Sequence, residues 1–128
     1  LGDVYKRQVK QGRGSIINFS SMAAFRPLTR VCGYAAAKAG ISNFTAYMAT
    51  ECARKFGEGI RVNAIAPGFI QTPWHENRTP ESYERINRKI ALHRFGEIKD
   101  VADMAYSILT NNYMNGSIVD IHGGYDYF

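Results

Sequence analysis

Three short β-rich runs that alternate with longer helical patterns constrain the fold of this chain more than any other feature of its sequence. The β-rich runs cover residues 15–19, 60–65 and 117–121, and the helical patterns cover residues 32–56, 80–92 and 100–111. The β-rich runs are apolar at consecutive positions, which is typical of strands that helices cover on both faces. The alternation therefore predicts an α/β fold in which crossover helices join parallel strands.

The longest helical pattern, residues 32–56, contains no proline and is rich in alanine. Apolar residues recur within it at spacings of three and four, which predicts one buried stripe along a long helix. The residues of this stripe are Ile41, Phe44, Met48 and Cys52. The preceding segment, residues 20–30, is expected to be irregular because Pro27 lies within it.

Length and composition limit the possible classes of protein. The chain has 128 residues, of which 45% are hydrophobic and 21% are charged, as in one ordinary globular domain. Its net charge is +5, but the basic residues are scattered, so we do not expect nucleic-acid binding. No apolar run reaches the roughly 18 residues of a membrane span, and only two cysteines are present, so we expect a cytoplasmic protein without a membrane anchor. The three histidines are too dispersed to predict a metal site.

The first eight residues resemble the translation of an adapter used to build sequencing libraries. We interpret residues 1–8 as such an artefact and leave them out of the predicted fold; the alternative is the end of a genuine surface helix. On the first interpretation the natural protein continues upstream. The apolar edge of the first β-rich run agrees with this interpretation, because an open edge strand needs a partner.

Polar residues with catalytic potential follow the β-rich runs at their carboxyl ends, where open parallel sheets bind ligands. Ser20 and Ser21 end the first run, and Tyr34 and Lys38 lie at the start of the next helix. Residues 67–72, with the sequence Pro-Gly-Phe-Ile-Gln-Thr, follow the second run. Tyr34 and Lys38 are four residues apart, so their side chains project from the same face of the helix.

A tyrosine beside a lysine has a definite chemical use. A free phenol has a pKa of about 10, and lowering that value to about 7 requires about 4 kcal/mol. An ammonium fixed about 4 Å away supplies a similar amount at an effective dielectric constant of about 20. Such a tyrosine can exchange a proton with an alcohol oxygen, while a nearby serine hydroxyl holds the same oxygen in place. Taken singly, each residue is explained as readily by the surface of an amphipathic helix.

The complete order of these motifs resembles the short-chain dehydrogenase/reductase family over nearly the whole chain. The matching segments are residues 14–21, 34–40, 60–68 and 123–125. The resemblance implies a doubly wound, Rossmann-like parallel sheet, of which residues 9–128 form the C-terminal part. Three positions depart from the family pattern, Ala24, Ile98 and His122, and none of them belongs to the tyrosine, lysine and serine set.

The resemblance also assigns a role to each motif residue. It implies that Tyr34 is the catalytic acid/base, that Lys38 makes the tyrosine hydroxyl more acidic and holds the nicotinamide ribose, and that Ser21 binds the substrate oxygen. In the loop after the second run, the backbone at Ile70 would contact the nicotinamide carboxamide, and the Thr72 hydroxyl would contact cofactor oxygens. The residues assigned to the binding of NAD or NADP are Tyr34, Lys38, Pro67, Gly68, Ile70 and Thr72.

The implied activity is that of an NAD(P)-dependent oxidoreductase that interconverts a secondary alcohol and a ketone. We expect a small-molecule substrate, such as an acyl-carrier-protein thioester or a sugar, and a homodimeric or homotetrameric protein. The alternative is a non-catalytic member of the same fold that senses NAD(P) or acts as a scaffold. Such members typically lack the tyrosine or the lysine, and both are present here.

We predict that the 128-residue chain alone has no dehydrogenase activity and binds NAD(P) poorly. The reason is that the family's glycine-rich phosphate loop and catalytic asparagine would lie upstream of residue 1. Absorbance of the reduced nicotinamide, followed with the purified chain and a panel of ketones, measures this. Turnover by the purified chain would contradict the prediction.

Overall fold

Parallel strands joined by helices build the structure, which confirms the predicted α/β class. The computed structural model describes residues 4–26, 28 and 30–125, so Pro27 and residues 1–3 of the interpreted adapter segment lie outside the described part. The strands are β1 (Gly14–Phe19), β2 (Ile60–Pro67) and β3 (Ile118–Ile121), and the helices are α1 (Val4–Gln11), α2 (Cys32–Phe56), α3 (Pro80–Asn87) and α4 (Ile98–Thr110). Two short 3-10 helices are also present: Met22–Ala24, in the segment predicted as irregular, and Pro73–His75, after the 67–72 loop. No helix in the described ranges combines the length and the apolar character needed to cross a bilayer.

Strand β2 is the centre of the sheet and pairs in parallel with both β1 and β3. The register aligns Ile16 of β1 with Val62 of β2. All residues of β2 except the last are buried, because successive side chains point to opposite faces and helices cover both. Val62 packs against Cys52 of α2 on one face, while Arg61 reaches the end of α4 on the other.

Helix α2 begins and ends at the predicted residues, but the prediction of its buried stripe was wrong at Phe44, which is 36% exposed. The buried residues are Ser42, Thr45, Ala49 and Cys52. The polar residues on this face have partners, since Thr45 Oγ1 donates to Ile41 O at 2.8 Å and accepts from Asn18 Nδ2 at 2.9 Å. Small side chains on this face let α2 lie close to the sheet, so the larger residue beside them remains at the surface.

The helix predicted over residues 80–92 ends five residues earlier, as α3. Beyond its end, the Leu92 N–H donates to Gly123 O at 3.1 Å, and the Ala91 N–H donates to Gly124 O at 3.4 Å. These long-range hydrogen bonds replace the bonds that a longer helix would make. They also leave Ile90 in the core, where it is 1% exposed.

A buried arginine ties β2 to the C-terminal end of α4. Arg61 is 8% exposed, and its guanidinium donates to the carbonyls of Ile108, Leu109 and Met114 at 2.9–3.1 Å. The carbonyls at the end of a helix lack intrahelical partners and carry partial negative charge, so a cation there is favourable. Asn63, also buried, donates to the same Met114 carbonyl at 2.9 Å. These bonds fix the turn that leads into β3.

We predict that Arg61→Met destabilises the protein by about 2–4 kcal/mol, because it removes charge-assisted hydrogen bonds and leaves buried carbonyls without donors. Urea titration monitored by circular dichroism gives the free energy of unfolding. Arg54→Met is the control, because Arg54 is 69% exposed in its side chain and pairs with Glu51 at the surface. Its effect should stay below about 1 kcal/mol. Equal losses in the two variants would contradict the role given to Arg61.

Candidate active site

Helix α2 is joined to the end of β1 at Lys38. The Ser20 hydroxyl donates to Lys38 O at 3.0 Å and lies 2.6 Å from the Ser42 hydroxyl. Both serines are nearly fully buried, at 3% and 6% exposure. The side chain of Lys38 reaches the same strand end, since its Nζ donates to Phe19 O at 2.8 Å. The lysine is therefore held to the strand through its main chain and through its side chain.

Tyr34 lies one helical turn before Lys38 and shares its face of α2. The ammonium of Lys38 is 5.7 Å from the centroid of the Tyr34 ring, a distance at which a cation is attracted to the ring face. The tyrosine side chain is half exposed, at 50%. The structure thus brings the predicted phenol and ammonium together and leaves the phenol accessible to a ligand.

Ser21 lies at the carboxyl end of β1, next to the contact between Ser20 and Lys38. It begins the 3-10 helix Met22–Ala24, and its Oγ accepts from Ala23 N at 3.2 Å. Serine is favoured at such a position because its side chain supplies an acceptor to the first turn. That contact uses a lone pair of the hydroxyl oxygen, so the hydroxyl can still donate a hydrogen bond to a ligand.

The 67–72 loop is packed between the end of β3 and the 3-10 helix after Ser21. A Cβ at Gly68 would lie 2.7 and 2.8 Å from the Cβ and Cα of His122, and 3.2 Å from Met22 Sδ. Only glycine fits without displacing one of these neighbours. The close approach brings the loop after Pro67 to the same edge of the sheet as the serine and the Tyr34 face of α2.

Backbone and hydroxyl groups in this loop are open to a ligand. Ile70 forms an isolated parallel bridge with Gly96. The hydrogen bonds of this bridge are made by Phe69 and Gln71, the residues on either side of Ile70. The N–H and C=O of Ile70 itself have no hydrogen-bond partner in the part of the chain that the structure describes. Thr72 precedes the second 3-10 helix in an extended conformation, and its hydroxyl does not cap that helix. These groups fit the amide and hydroxyl groups of a nicotinamide nucleotide.

An aromatic cluster lies beside the loop, and its members are Phe69, His75, Tyr83, Phe95 and Tyr125. The Tyr83 and Phe95 rings are 4.8 Å apart between centroids. Arg78 Nε donates to Nδ1 of His75 at 2.8 Å. The sequence offered no spacing signal for this cluster, because its members come from four separate segments of the chain.

We predict that His75 makes the stability of the protein depend on pH. Burial, together with the charge of Arg78, lowers the pKa of His75 below its usual value of 6.5. The unfolded chain therefore binds the proton more tightly, and the free energy of unfolding should fall as the pH decreases through 6.5 towards the lowered pKa. Urea midpoints measured from about pH 7.5 to 5 should fall less steeply in His75→Gln than in the wild type.

Glutamine keeps a polar side chain of similar size but binds no proton in this pH range, so the comparison isolates the imidazole of His75. Parallel curves for the wild type and His75→Gln would contradict the prediction.

Known proteins match this chain over almost its entire length. A family model described as enoyl-(acyl carrier protein) reductase matches residues 3–126. The 3-oxoacyl-[acyl-carrier-protein] reductase of Thermotoga maritima is 38% identical over 118 residues, which are 91% of this chain and 47% of that protein. A solved structure of a 3-oxoacyl-[acyl-carrier protein] reductase from Brucella melitensis with bound NAD has a TM-score of 0.84 at 34% identity and covers 98% of this chain and 45% of its own.

A second solved structure, from Agrobacterium tumefaciens, contains bound NADP and is described as a 2-deoxy-d-gluconate 3-dehydrogenase. It has a TM-score of 0.83 at 35% identity, and the alignment covers 93% of this chain and 49% of that one. The present chain spans about half the length of the curated relatives it matches.

Proposed function

The chain belongs to the short-chain dehydrogenase/reductase family, and on that premise we propose that the protein containing it is an NAD(P)-dependent oxidoreductase. It interconverts a secondary alcohol and a ketone by hydride transfer. The observation that carries this proposal is the contact at Lys38, which joins the Tyr34 face of α2 to the strand end that bears Ser21. The names of the relatives, a reductase and a dehydrogenase, support the same class of reaction.

In this proposal Tyr34 and Ser21 contact the substrate oxygen directly, and Lys38 acts on the phenol of Tyr34. The Tyr34 hydroxyl donates a proton to that oxygen in reduction and accepts it in oxidation. The Ser21 hydroxyl donates a hydrogen bond to the same oxygen and holds it in place. Lys38 stabilises the ionised phenol by its charge. An ammonium has three donors, so the bond to Phe19 O leaves two of them for the ribose hydroxyls and the phenol.

NAD or NADP, when bound, would supply or accept the hydride, and the open groups of the 67–72 loop would hold its nicotinamide half. Ile70 offers an N–H and a C=O to the carboxamide, Thr72 offers a hydroxyl, and Gly68 allows the loop to lie close to the end of β3. The residues proposed to hold the cofactor are Tyr34, Lys38, Pro67, Gly68, Ile70 and Thr72.

The proposed substrate is a small alcohol or ketone, such as an acyl-carrier-protein thioester or a sugar, because relatives carry both kinds of name. The proposed assembly is a homodimer or homotetramer. Large apolar side chains on α2 and α4 are exposed and would be covered in such an assembly. They include Phe44, Tyr47, Tyr106 and Leu109.

We predict that Tyr34→Phe lowers the kcat of the full-length protein by about 10²–10⁴-fold, the usual contribution of a positioned acid/base. The dissociation constant for NAD(P) should change by no more than about tenfold, the equivalent of one hydrogen bond. Reduced-nicotinamide absorbance measures turnover with 3-oxoacyl thioesters and keto sugars, and fluorescence titration measures binding. Tyr113→Phe is the control, because Tyr113 is 99% exposed and lies beyond the end of α4, outside the candidate site.

The same variant separates the enzyme from a non-catalytic NAD(P) sensor or scaffold. An enzyme loses turnover in Tyr34→Phe, whereas a sensor keeps its NAD(P)-dependent function without the hydroxyl. Equal turnover in Tyr34→Phe and Tyr113→Phe would contradict the proposed role of Tyr34.

A further inference from the structure

The loop that follows β2 is held by hydrogen bonds to Gly96, a residue of the segment between α3 and α4. Gly96 N donates to Phe69 O at 2.9 Å, and Gln71 N donates to Gly96 O at 2.8 Å. The two bonds flank Ile70 and form the parallel bridge between Ile70 and Gly96. The loop backbone is therefore fixed on the side that faces Gly96.

These two bonds determine where the polar groups of Ile70 point. In an extended segment, successive N–H and C=O groups alternate between the two edges of the strand. Gly96 binds the groups of Phe69 and Gln71 on one edge, so the N–H and C=O of Ile70 lie on the opposite edge. A donor and an acceptor on one edge of a single residue are complementary to a carboxamide, which carries both an N–H donor and a C=O acceptor.

Gly96 is itself anchored by its neighbours on both sides. The buried Phe95 ring is 5.5 Å from the Phe69 ring, and the Glu97 N–H donates to Asp100 Oδ2 at 2.8 Å at the start of α4. The N–H of Glu97, together with the charge of Arg94, also lowers the pKa of Asp100, so this carboxylate remains ionised. The segment around Gly96 is thus fixed to the aromatic cluster on one side and to α4 on the other.

A side chain at Gly96 would meet the end of the Ile70 side chain. A Cβ there would lie 2.8 Å from Cδ1 of Ile70. A larger residue therefore displaces the end of the Ile70 side chain, and any shift of the Ile70 main chain with it would lengthen the two backbone bonds.

We propose that Gly96 is a positioning residue for cofactor recognition, which holds the Phe69–Gln71 backbone so that Ile70 presents its N–H and C=O to the nicotinamide carboxamide. This inference rests on the proposed function. It extends the site by a residue that lies 26 positions from Ile70 and touches no reacting atom. Its role is selectivity for the carboxamide group rather than proton or hydride transfer.

The test compares the affinity of the full-length protein for NAD(P) with its affinity for the 3-acetylpyridine analogue, which keeps the acceptor and lacks the N–H donor. The preference for the carboxamide should fall about 3–10-fold in Gly96→Ala, the equivalent of one lost hydrogen bond. Fluorescence titration measures both dissociation constants. Without cofactor, hydrogen exchange at the Gln71 amide should become faster in the same variant, because its bond to Gly96 O is weakened.

Two further variants separate positioning from general loss of stability. In Gly96→Ala with Ile70→Val, the Cδ1 that the new methyl group would meet is absent, so the carboxamide preference should return towards that of the wild type. Arg61→Met weakens the fold on the other side of β2 and should leave the preference unchanged. This pattern is expected only if Gly96 acts through the position of the Ile70 backbone.

The outcomes distinguish this inference from the proposed function. If the wild type binds NAD(P) and prefers the carboxamide while Gly96→Ala keeps the full preference, the inference about Gly96 is overturned and the function stands. The same holds if Arg61→Met loses the preference to the same extent as Gly96→Ala. If the wild type binds neither nucleotide, the proposed function and the inference are both overturned.

Discussion

The buried hydrogen bonds at Lys38 are the contact on which the rest of the site depends. The phenol and the ammonium belong to a helix, while Ser21 belongs to a strand end, so their relative placement is set only where these two elements touch. Ser20 and Ser42 make that junction, with hydroxyls 2.6 Å apart and the Lys38 carbonyl within 3.0 Å of Ser20. A buried hydroxyl without a partner costs about 1–3 kcal/mol, so a displacement of α2 along the sheet is penalised at this point.

Strand β2 is fixed at both ends by contacts of different kinds. At its start, Arg61 and Asn63 donate to carbonyls near the end of α4 and hold the turn into β3. At its end, Gly68 lies so close to His122 that no side chain fits. His122 in turn accepts from two backbone N–H groups of the following turn, both at 3.1 Å. An imidazole nitrogen supplies the acceptor that these two N–H groups need, which explains how a histidine is accommodated at a position that departs from the family pattern.

Local patterns predicted the elements whose boundaries are set by local chemistry. Helix α2 begins and ends where its alanine-rich segment does, and the three strand runs form the parallel sheet. The errors lie where distant contacts override local patterns. Phe44 has the spacing of a buried residue, but a line of small side chains faces the sheet instead. The helix expected to reach Leu92 ends earlier, because a carbonyl from residue 123 accepts the Leu92 N–H.

The same distinction divides the candidate site into a part that the sequence reveals and a part that it does not. Proton transfer requires particular side chains, so Tyr34, Lys38 and Ser21 leave a pattern of residue types that can be read directly. Recognition through the backbone of Ile70 requires no particular side chain at that position, and the residue that orients it is 26 positions away. Only the parallel bridge to Gly96 shows the connection. The sequence around Gly96 is that of an ordinary turn, so the structure changes the interpretation of this residue more than that of the others in the site.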